Sequence, residues 1–294
     1  MLARRAFLTL GGCGALALLP HRLAAQPRLS VAYLDAIPGY ISVHARTMAN
    51  EPPIVAYHDG DPYPTASTIK VLIMTTAFRW MDAGKIKPST PVPISAADMV
   101  GGSETYGSAV PGTTYPLMSL INAMIKQSDN TASNALISHF GFAAINATTV
   151  PAGMTSTHLR RHFLDWAAIV AHNENVSTAR DMAALLYEIE RGSREGLDTI
   201  AKSDSCRAMI QIMLGQEDRN KIPAGLPPGT QVANKTGEIT GVRSDVAIVE
   251  PFGETPYILV VMTKELRDYS AGISAIRRVA RDVNRTVNAK YGLT

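Results

Sequence analysis

The sequence predicts an α+β fold whose single, mostly antiparallel sheet of five strands is built from both ends of the chain. Strand-like segments occur at residues 41–47 and 53–57 and again at 231–235, 245–249 and 257–263. Helical patterns fill the region between them. Strands at both ends with helices in the middle favour a sheet flanked by helices, beside which the central region forms an all-helical insertion. With 294 residues and 46% hydrophobic content, the chain is long enough to bury a large core.

The N-terminus is typical of an export signal. Arg4 and Arg5 form a twin-arginine pair, an apolar run covers residues 8–19, and a cleavage site precedes Gln26. About twelve apolar residues are too few to span a bilayer, which disfavours a membrane anchor. Cys13 stands in a lipoprotein-like sequence, so lipidation is the alternative to cleavage. We therefore expect a periplasmic or secreted protein exported by the twin-arginine route, with no stable membrane span after cleavage.

Charge and cysteine content limit the possible functions. Residues 1–25 carry three of the 28 lysines and arginines and none of the 25 acidic residues, so the rest of the chain is near neutral. That balance gives no indication of a nucleic-acid partner. After cleavage Cys206 is the remaining cysteine, so no intramolecular disulfide can form. Stability must therefore come from packing.

The helices follow one another in the central region. The segment 68–81 is apolar on nearly all sides, so it belongs in the interior, and Gly84 ends it. Helices at 117–126 and 131–140 leave residues 128–130 in the corner between them. Further amphipathic helices are predicted at residues 178–191, 203–214 and 273–288.

This order of elements predicts how the chain is divided. Residues 1–25 form the signal peptide. Residues 26–66 and 200–294 form the sheet subdomain, and residues 67–199 form the helical subdomain. A stretch rich in proline and glycine, residues 221–229, leads back into the sheet. Together the two subdomains are expected to make one catalytic domain.

The start of the first helix carries a serine and a lysine in an S-x-x-K arrangement. Ser67 lies where backbone amides and the helix dipole favour developing negative charge. Lys70 is three residues on, so its amine lies on the same face about one turn away. A serine hydroxyl needs an adjacent base, and an amine desolvated inside a packed helix can act as one. Taken alone, the pair is more typical of a helix cap beside a snorkelling lysine.

A second element, Ser128-Asp129-Asn130, lies in the corner between two helices. Ser128 can pass a proton to a leaving nitrogen, and Asn130 can hold a substrate amide by hydrogen bonds. Serine, aspartate and asparagine are also common helix caps. We interpret Asp129 as structural and Ser128 as functional.

The third element, Lys235-Thr236-Gly237, is predicted to end a strand. A lysine and a hydroxyl that project from one edge strand can bind a carboxylate, and Gly237 lets a substrate backbone lie close. Arg243 follows shortly and offers a fork-shaped partner for the same carboxylate. The alternative is an ordinary solvated strand end.

The three elements in this order, about sixty and then about a hundred residues apart, resemble the serine β-lactamase and penicillin-binding protein superfamily. The resemblance is to its class A β-lactamase-like branch and covers residues 41–294. It implies a β-lactamase/transpeptidase-like fold. It also implies a β-lactam or a peptidoglycan stem peptide as the small-molecule or peptide partner.

The resemblance also implies roles for individual residues. Ser67 would be the acylated nucleophile, with Lys70 and Ser128 as proton carriers and Lys235 as a catalytic cation. The backbone amides of Ser67 and Glu238 would form the oxyanion hole. Substrate binding would fall to the residues already discussed, namely Asn130, Thr236, Gly237 and Arg243.

One departure from the family pattern concerns the release of the acyl group. Class A β-lactamases activate the deacylating water with a glutamate in an omega loop, within T-x-L-x-R-x-E-x-x-x-N. Residues 157–161 fit the start of this pattern, but the glutamate position falls on Phe163 and the asparagine position on Ala167. Asp165 is the nearest carboxylate and is the candidate deacylation base, with Glu174 as a second candidate. Without a base the acyl-enzyme should persist, as in penicillin-binding proteins.

Three functions are therefore compatible with the sequence. The first is an exported serine hydrolase that opens the amide bond of β-lactams. The second is a D,D-peptidase, transpeptidase or esterase acting on cell-wall peptide or another acyl substrate. The third is a β-lactam or peptidoglycan sensor that is acylated without turnover, which the lack of a predicted membrane span or signalling domain disfavours.

We expect no cofactor and no metal, and we expect a monomer. His158 and His162 have the spacing of a metal-binding pair on a helix, but a loop is expected there, which favours a solvated pair.

Overall fold

The strands of this protein range from two to eight residues in length. The structure is a computed structural model that describes residues 29–49, 51–196 and 198–293; the expected signal peptide, with Cys13, lies outside the described residues. In chain order the strands are β1 (Tyr40–Thr47), β2 (Val55–Tyr57), β3 (Tyr63–Pro64), β4 (Pro91–Pro93), β5 (Thr114–Pro116), β6 (Val176–Ser177), β7 (Val232–Ile239), β8 (Val242–Val249) and β9 (Tyr257–Lys264).

Five of these strands form one antiparallel sheet in the order β2-β1-β9-β8-β7. The sheet brings the two ends of the described chain together, because β1 pairs along its whole length with β9. This architecture confirms the predicted α+β class with a five-stranded antiparallel sheet. The remaining strands pair in two small ribbons, β3 with β6 and β4 with β5.

The helices confirm the mainly helical character of the central region. They are α1 (Lys70–Asp82), α2 (Leu117–Lys126), α3 (Asn130–Phe140), α4 (Phe142–Ala147), α5 (Trp166–Val170), α6 (Ala179–Glu195), α7 (Ser203–Leu214) and α8 (Tyr269–Tyr291). Short 3-10 turns occur at Ala32–Ala36, Ala66–Ile69, Ala96–Asp98 and Pro223–Gly225. The subdomain boundaries given above stay predictions. Among the described residues, no helix combines the length and the apolar character that crossing a bilayer requires.

Alternate residues of β9 point into two different hydrophobic cores, one on each face of the sheet. Ile258, Val260 and Met262 belong to the core formed with the helical region, whereas Leu259 and Val261 belong to the core under α8. Side chains alternate between the two faces of a strand, so a strand that is covered on both faces is apolar throughout. The sheet is therefore a middle layer between helices, and its β7 edge lies beside the start of α1.

Strand β7 is longer than the sequence pattern predicts. The Lys235-Thr236-Gly237 element was predicted to end a strand, but the strand continues to Ile239 and turns back through Gly241, whose φ is 75°. A positive φ is accessible to glycine at low cost, so the tight turn lies at Gly241. The turn places Glu238 directly opposite Arg243 on β8.

Candidate active site

The candidate nucleophile lies in a strained turn. Ser67 belongs to the 3-10 turn that leads into α1, and Ala66 before it has a φ of 45°. This left-handed conformation costs energy for alanine and is typical of functional sites that the surrounding structure holds in place. Ser67 lines a pocket of about 380 Å³, together with Ser128, Asn130 and Thr236. The structure therefore brings members of all three sequence elements to one cleft.

The Lys70 amine is completely buried and faces the corner between α2 and α3. Its Nζ lies 2.6 Å from the backbone oxygen of Ser128, 3.1 Å from Ser128 Oγ and 2.8 Å from Asn130 Oδ1. Burial holds the pKa of Lys70 well below its usual value, and the charge on Lys235 lowers it further. Among the described residues, Lys70 Nζ makes no hydrogen bond to Ser67 Oγ. Catalytic hydrogen bonds of this kind often tighten only when substrate binds.

Lys235 approaches the same hydroxyl from the sheet. Its Nζ lies 3.1 Å from Ser128 Oγ and 2.9 Å from the backbone oxygen of Thr236. Burial lowers the pKa of Lys235 to about 7, against the opposing attraction of Asp245 and Asp218. Ser128 Oγ is thus 3.1 Å from each of two buried amines. This hydroxyl can exchange a proton with either side of the cleft.

Asp129 holds the corner in place. Its carboxylate accepts the backbone N–H of Ala132 at the start of α3 and the backbone N–H groups of Thr105 and Tyr106 in the facing loop. Ser128, the residue before it, has a φ of 62°. The carboxylate therefore ties the loop and the helix to a strained turn that presents Ser128 to the two amines.

Gly237 allows β7 to pack directly against the nucleophile turn. A Cβ atom at this position would lie 2.8 Å from the backbone oxygen of Thr65 and 3.0 Å from Thr68 Cγ2. The sequence was interpreted as making room for a substrate backbone here. In the structure the space is taken by the protein's own turn, so Gly237 brings β7 and the Ser67 turn together.

Arg243 lies opposite Glu238 on the neighbouring strand, and its guanidinium is already engaged. Nη1 donates to the backbone oxygens of Ile239 and Val242, at 2.9 Å and 2.6 Å. The guanidinium carbon lies 3.9 Å from the centre of the Tyr269 ring. Nε lies 3.8 Å from Glu238 Oε2. Arg243 is therefore a positioned cation beside Glu238.

The sequence pattern did not single out Lys221, which the structure places behind Asp218 and Glu238, two residues that line the cleft. Its side chain is 0% exposed, and its Nζ lies 2.6 Å from both Asp218 Oδ2 and Glu238 Oε1. Burial alone would raise the pKa of the Asp218 carboxyl, but the hydrogen bond from Lys221 and its charge hold that pKa below the usual value. Lys221 lies in the proline- and glycine-rich connection, where an isolated lysine gives no periodic signal. Its partners become visible only in the tertiary structure.

At the position of the expected omega-loop glutamate the structure has an apolar ring. The Phe163 ring centre lies 4.4 Å from Lys70 Nζ. Asn134 fixes the backbone of Phe163 on both sides, since its Oδ1 accepts the N–H at 2.7 Å and its Nδ2 donates to the carbonyl at 3.2 Å. The environment of Lys70 on this side is therefore apolar and buried.

The two nearby carboxylates serve other contacts. Asp165 caps α5, where its Oδ1 accepts the N–H of Ala168 at 3.0 Å. It is not among the residues that line the pocket of Ser67 in the described structure. Glu174 forms an ion pair with Arg161 at 2.5 Å. The role of Asp165 as deacylation base stays a prediction.

The Asp165 prediction has a clean test, because asparagine is as good a helix cap as aspartate. We expect Asp165→Asn to slow the loss of a preformed acyl adduct by about tenfold or more, since a general base contributes at least that much. Glu174→Gln is expected to leave the rate of adduct loss unchanged. Intact mass measured over time gives both rates. Equal rates for the wild type and Asp165→Asn would exclude Asp165 as the base.

The histidine pair does not lie on a helix. The backbone of His158 pairs with Val176 in an isolated bridge. The His162 ring packs against Phe142, and its Nε2 lies 3.3 Å from Ser138 Oγ. Within the described ranges, no three His, Cys, Asp or Glu side chains are grouped so that they could hold a metal ion.

Comparison with known proteins gives consistent results. A family model described as the Beta-lactamase enzyme family matches residues 28–287. The β-lactamase Toho-2 of Escherichia coli is 30% identical over 219 residues, which cover 70% of each chain. A β-lactamase structure from Sphaerobacter thermophilus DSM 20745 has a TM-score of 0.75 at 27% identity and covers 90% of this chain and 95% of that one. A mutant of PBP-A, solved as an acyl-enzyme complex with penicillin-G, has a TM-score of 0.76 at 25% identity and covers 86% and 91%.

Proposed function

The chain belongs to the Beta-lactamase enzyme family, and from this membership we propose that it is a serine hydrolase that attacks the amide bond of β-lactams through an acyl-enzyme on Ser67. The proposal rests on one observation: two buried amines lie within hydrogen-bonding distance of the same hydroxyl. Lys70 Nζ and Lys235 Nζ each lie 3.1 Å from Ser128 Oγ, in the cleft that Ser67 also lines. Acyl transfer to a serine needs a nucleophile, a base and a proton donor, and these residues can supply all three.

The proposed reaction begins with proton removal from Ser67. Lys70, whose pKa is lowered by burial, would in its unprotonated form accept the hydroxyl proton as Ser67 Oγ bonds to the carbonyl carbon. The backbone amides of Ser67 and Glu238 would stabilise the oxyanion that forms. The carbon–nitrogen bond then breaks, and Ser128 donates its proton to the leaving nitrogen. Lys70 returns a proton to Ser128, for which its position beside Ser128 Oγ is suited.

Release of the acyl group is the second half of the proposed reaction, and we expect it to be slow. It requires a water molecule and a group that takes its proton. Phe163 offers no such group, although its ring lies 4.4 Å from Lys70 Nζ. This observation favours a second candidate function, a D,D-peptidase or transpeptidase acting on cell-wall peptide, in which a long-lived adduct with a β-lactam is a side reaction.

We further propose that the protein acts outside the cytoplasm. The proposal rests on the Arg4-Arg5 pair and the apolar run that follows it. Fractionation of expressing cells into cytoplasm, membrane and periplasm checks the export route, and recovery in the membrane fraction would instead favour lipidation at Cys13.

Labelling with benzylpenicillin tests the function directly. We expect the intact mass of the purified protein to rise by the mass of one penicillin, and the modified peptide to contain Ser67. The adduct should persist over minutes to hours, because Asp165, the candidate base, does not line the pocket of Ser67 in the described structure. The matched variant Ser67→Ala should remain unlabelled.

The possible outcomes separate the candidate functions. Rapid loss of the adduct would indicate an efficient β-lactamase. A long-lived adduct would support the slow enzyme or the peptidase. Absence of any adduct on Ser67, with benzylpenicillin and with its methyl ester, would refute the proposal.

A further inference from the structure

The donors that could bind a substrate carboxylate lie at one corner of the cleft and directly behind it, next to Glu238. They are the Thr236 hydroxyl, the Lys221 amine and the Arg243 guanidinium, which we call the anion corner. Thr236 lies in the same pocket as Ser67. A hydroxyl beside two cations is a favourable site for a carboxylate. A β-lactam or a peptide with a free C-terminus would present its carboxylate to such a group of donors.

In this protein the anion corner is already filled by two of the chain's own carboxylates. Asp218 lines the same pocket as Thr236, and its Oδ2 lies 2.6 Å from Lys221 Nζ. Glu238 places Oε1 2.6 Å from Lys221 Nζ and Oε2 3.8 Å from Arg243 Nε. Two positive charges are thus matched by two negative charges before any ligand arrives.

Burial makes this pairing costly to exchange. The Lys221 side chain is 0% exposed, so displacing Glu238 would deprive a buried ammonium of one of its two carboxylate partners. The Glu238 side chain is 44% exposed and lines the pocket, so it stands between the cation and an entering ligand. An incoming carboxylate would have to displace Glu238 or lie beside it. Two carboxylates side by side repel each other because both are negatively charged. An uncharged group meets neither cost.

We propose that Glu238 acts as a specificity-determining residue that excludes carboxylates from the anion corner, so that the preferred acyl donor presents an uncharged amide- or ester-capped group there. This inference rests on the proposed acylation of Ser67 and deepens it by naming the substrate class. The Glu238 side chain and the Glu238 backbone amide have separate roles in it. A side-chain substitution leaves the amide in the chain.

The test compares benzylpenicillin with its methyl ester, which differ in the charge of the carboxyl group. The second-order rate constant for acylation of Ser67 is measured for each by intact mass. In the wild type we expect the ester to react at least as fast as the free acid. In Glu238→Gln, which keeps the shape and removes the charge, we expect the acid-to-ester rate ratio to rise by about tenfold.

A matched control separates local exclusion from the general charge of the cleft. Glu104 lines the same pocket, and within the described residues it forms no ion pair with Lys221 or Arg243. We expect Glu104→Gln to leave the acid-to-ester ratio unchanged. An equal rise in both variants would contradict the proposal, because a general field would then explain it. Glu238→Ser provides a second side chain without charge if the glutamine variant folds poorly.

Failure of this inference can be told apart from failure of the proposed function. If the wild type labels on Ser67 but prefers the free acid by tenfold or more, the exclusion is overturned while acylation stands. An unchanged ratio in Glu238→Gln overturns it equally. If neither compound labels Ser67, both the function and the inference are refuted.

Discussion

Replacing Lys70 with methionine is expected to slow the acylation of Ser67 by about a thousandfold, in the middle of the range for loss of a general base. The amine is 0% exposed and lies within 3.1 Å of Ser128 Oγ, so no bulk water replaces its function. Methionine has a similar length and suits a buried, irregular space. It also removes a buried amine that pays a desolvation cost, so the melting temperature should not fall greatly. The measurement is the second-order rate of labelling by benzylpenicillin.

The control for this prediction is an amine in the same pocket. Lys126 also lines the pocket, but among the described residues its amine makes no hydrogen bond to Ser128. Lys126→Met should therefore retain the wild-type rate of acylation. An acylation rate for Lys70→Met within about threefold of the wild-type rate would contradict the prediction. It would show that proton transfer by Lys70 does not contribute a hundredfold or more.

The pH profile gives a second readout of the same prediction. A base must be unprotonated, so the rate should fall as the pH drops through the lowered pKa of Lys70. A cation must be protonated, so the rate should also fall as the pH rises above about 7, where Lys235 loses its proton. Because both amines lie 3.1 Å from Ser128 Oγ, their titrations are coupled. The acid and alkaline limbs of the pH profile therefore report apparent pKa values of the pair, not of either lysine alone. Lys235→Arg, which stays charged, should lose the alkaline limb.

Introducing a carboxylate at the expected omega-loop position is predicted to speed the release of the acyl group. We expect Phe163→Glu to shorten the lifetime of the penicillin adduct about a hundredfold. The Phe163 ring lies 4.4 Å from Lys70 Nζ, so a carboxylate there comes within ion-pair distance of that amine and can accept a proton from water. Pairing with Lys70 compensates the buried charge.

This prediction needs acylation and release to be measured separately. The new carboxylate will also raise the pKa of Lys70, which is expected to slow acylation near neutral pH. The adduct is therefore formed first, free penicillin is removed, and the loss of mass is followed. Phe163→Gln has a similar shape but cannot take a proton. Equal release rates for Phe163→Glu and Phe163→Gln would show that the missing carboxylate is not what limits release.

Local sequence patterns were sufficient for most of the fold. The helix at residues 117–126 and the helix at residues 203–214 begin and end where the apolar pattern predicts. The five strands of the main sheet were predicted at the correct places, although β7 runs four residues further than its pattern, to Ile239, and β8 begins three residues earlier, at Val242. Most elements of two to six residues, such as α4 and β6, were missed, because so short a segment carries too few residues to show a period.

For the candidate site, too, some features could be predicted from the sequence and others could not. The order of its three motifs, and the phenylalanine at the glutamate position, could be identified from the sequence. The position of Gly237 against the Ser67 turn and the burial of Lys221 between two carboxylates could not. Both depend on contacts between β7, the nucleophile turn and a connection with no periodic pattern.

The sequence by itself determined the fold class and the chemical types of the groups in the cleft, because helix and strand periodicity and short motifs are properties of neighbouring residues. Only the tertiary structure decided that Lys70 and Lys235, which are 58 and 107 residues from Ser128, meet at its hydroxyl. It likewise decided that the anion corner is filled by the chain's own carboxylates. The physical reason is that burial and proximity set the charge state of an amine, and both arise from packing between segments that are distant in the chain.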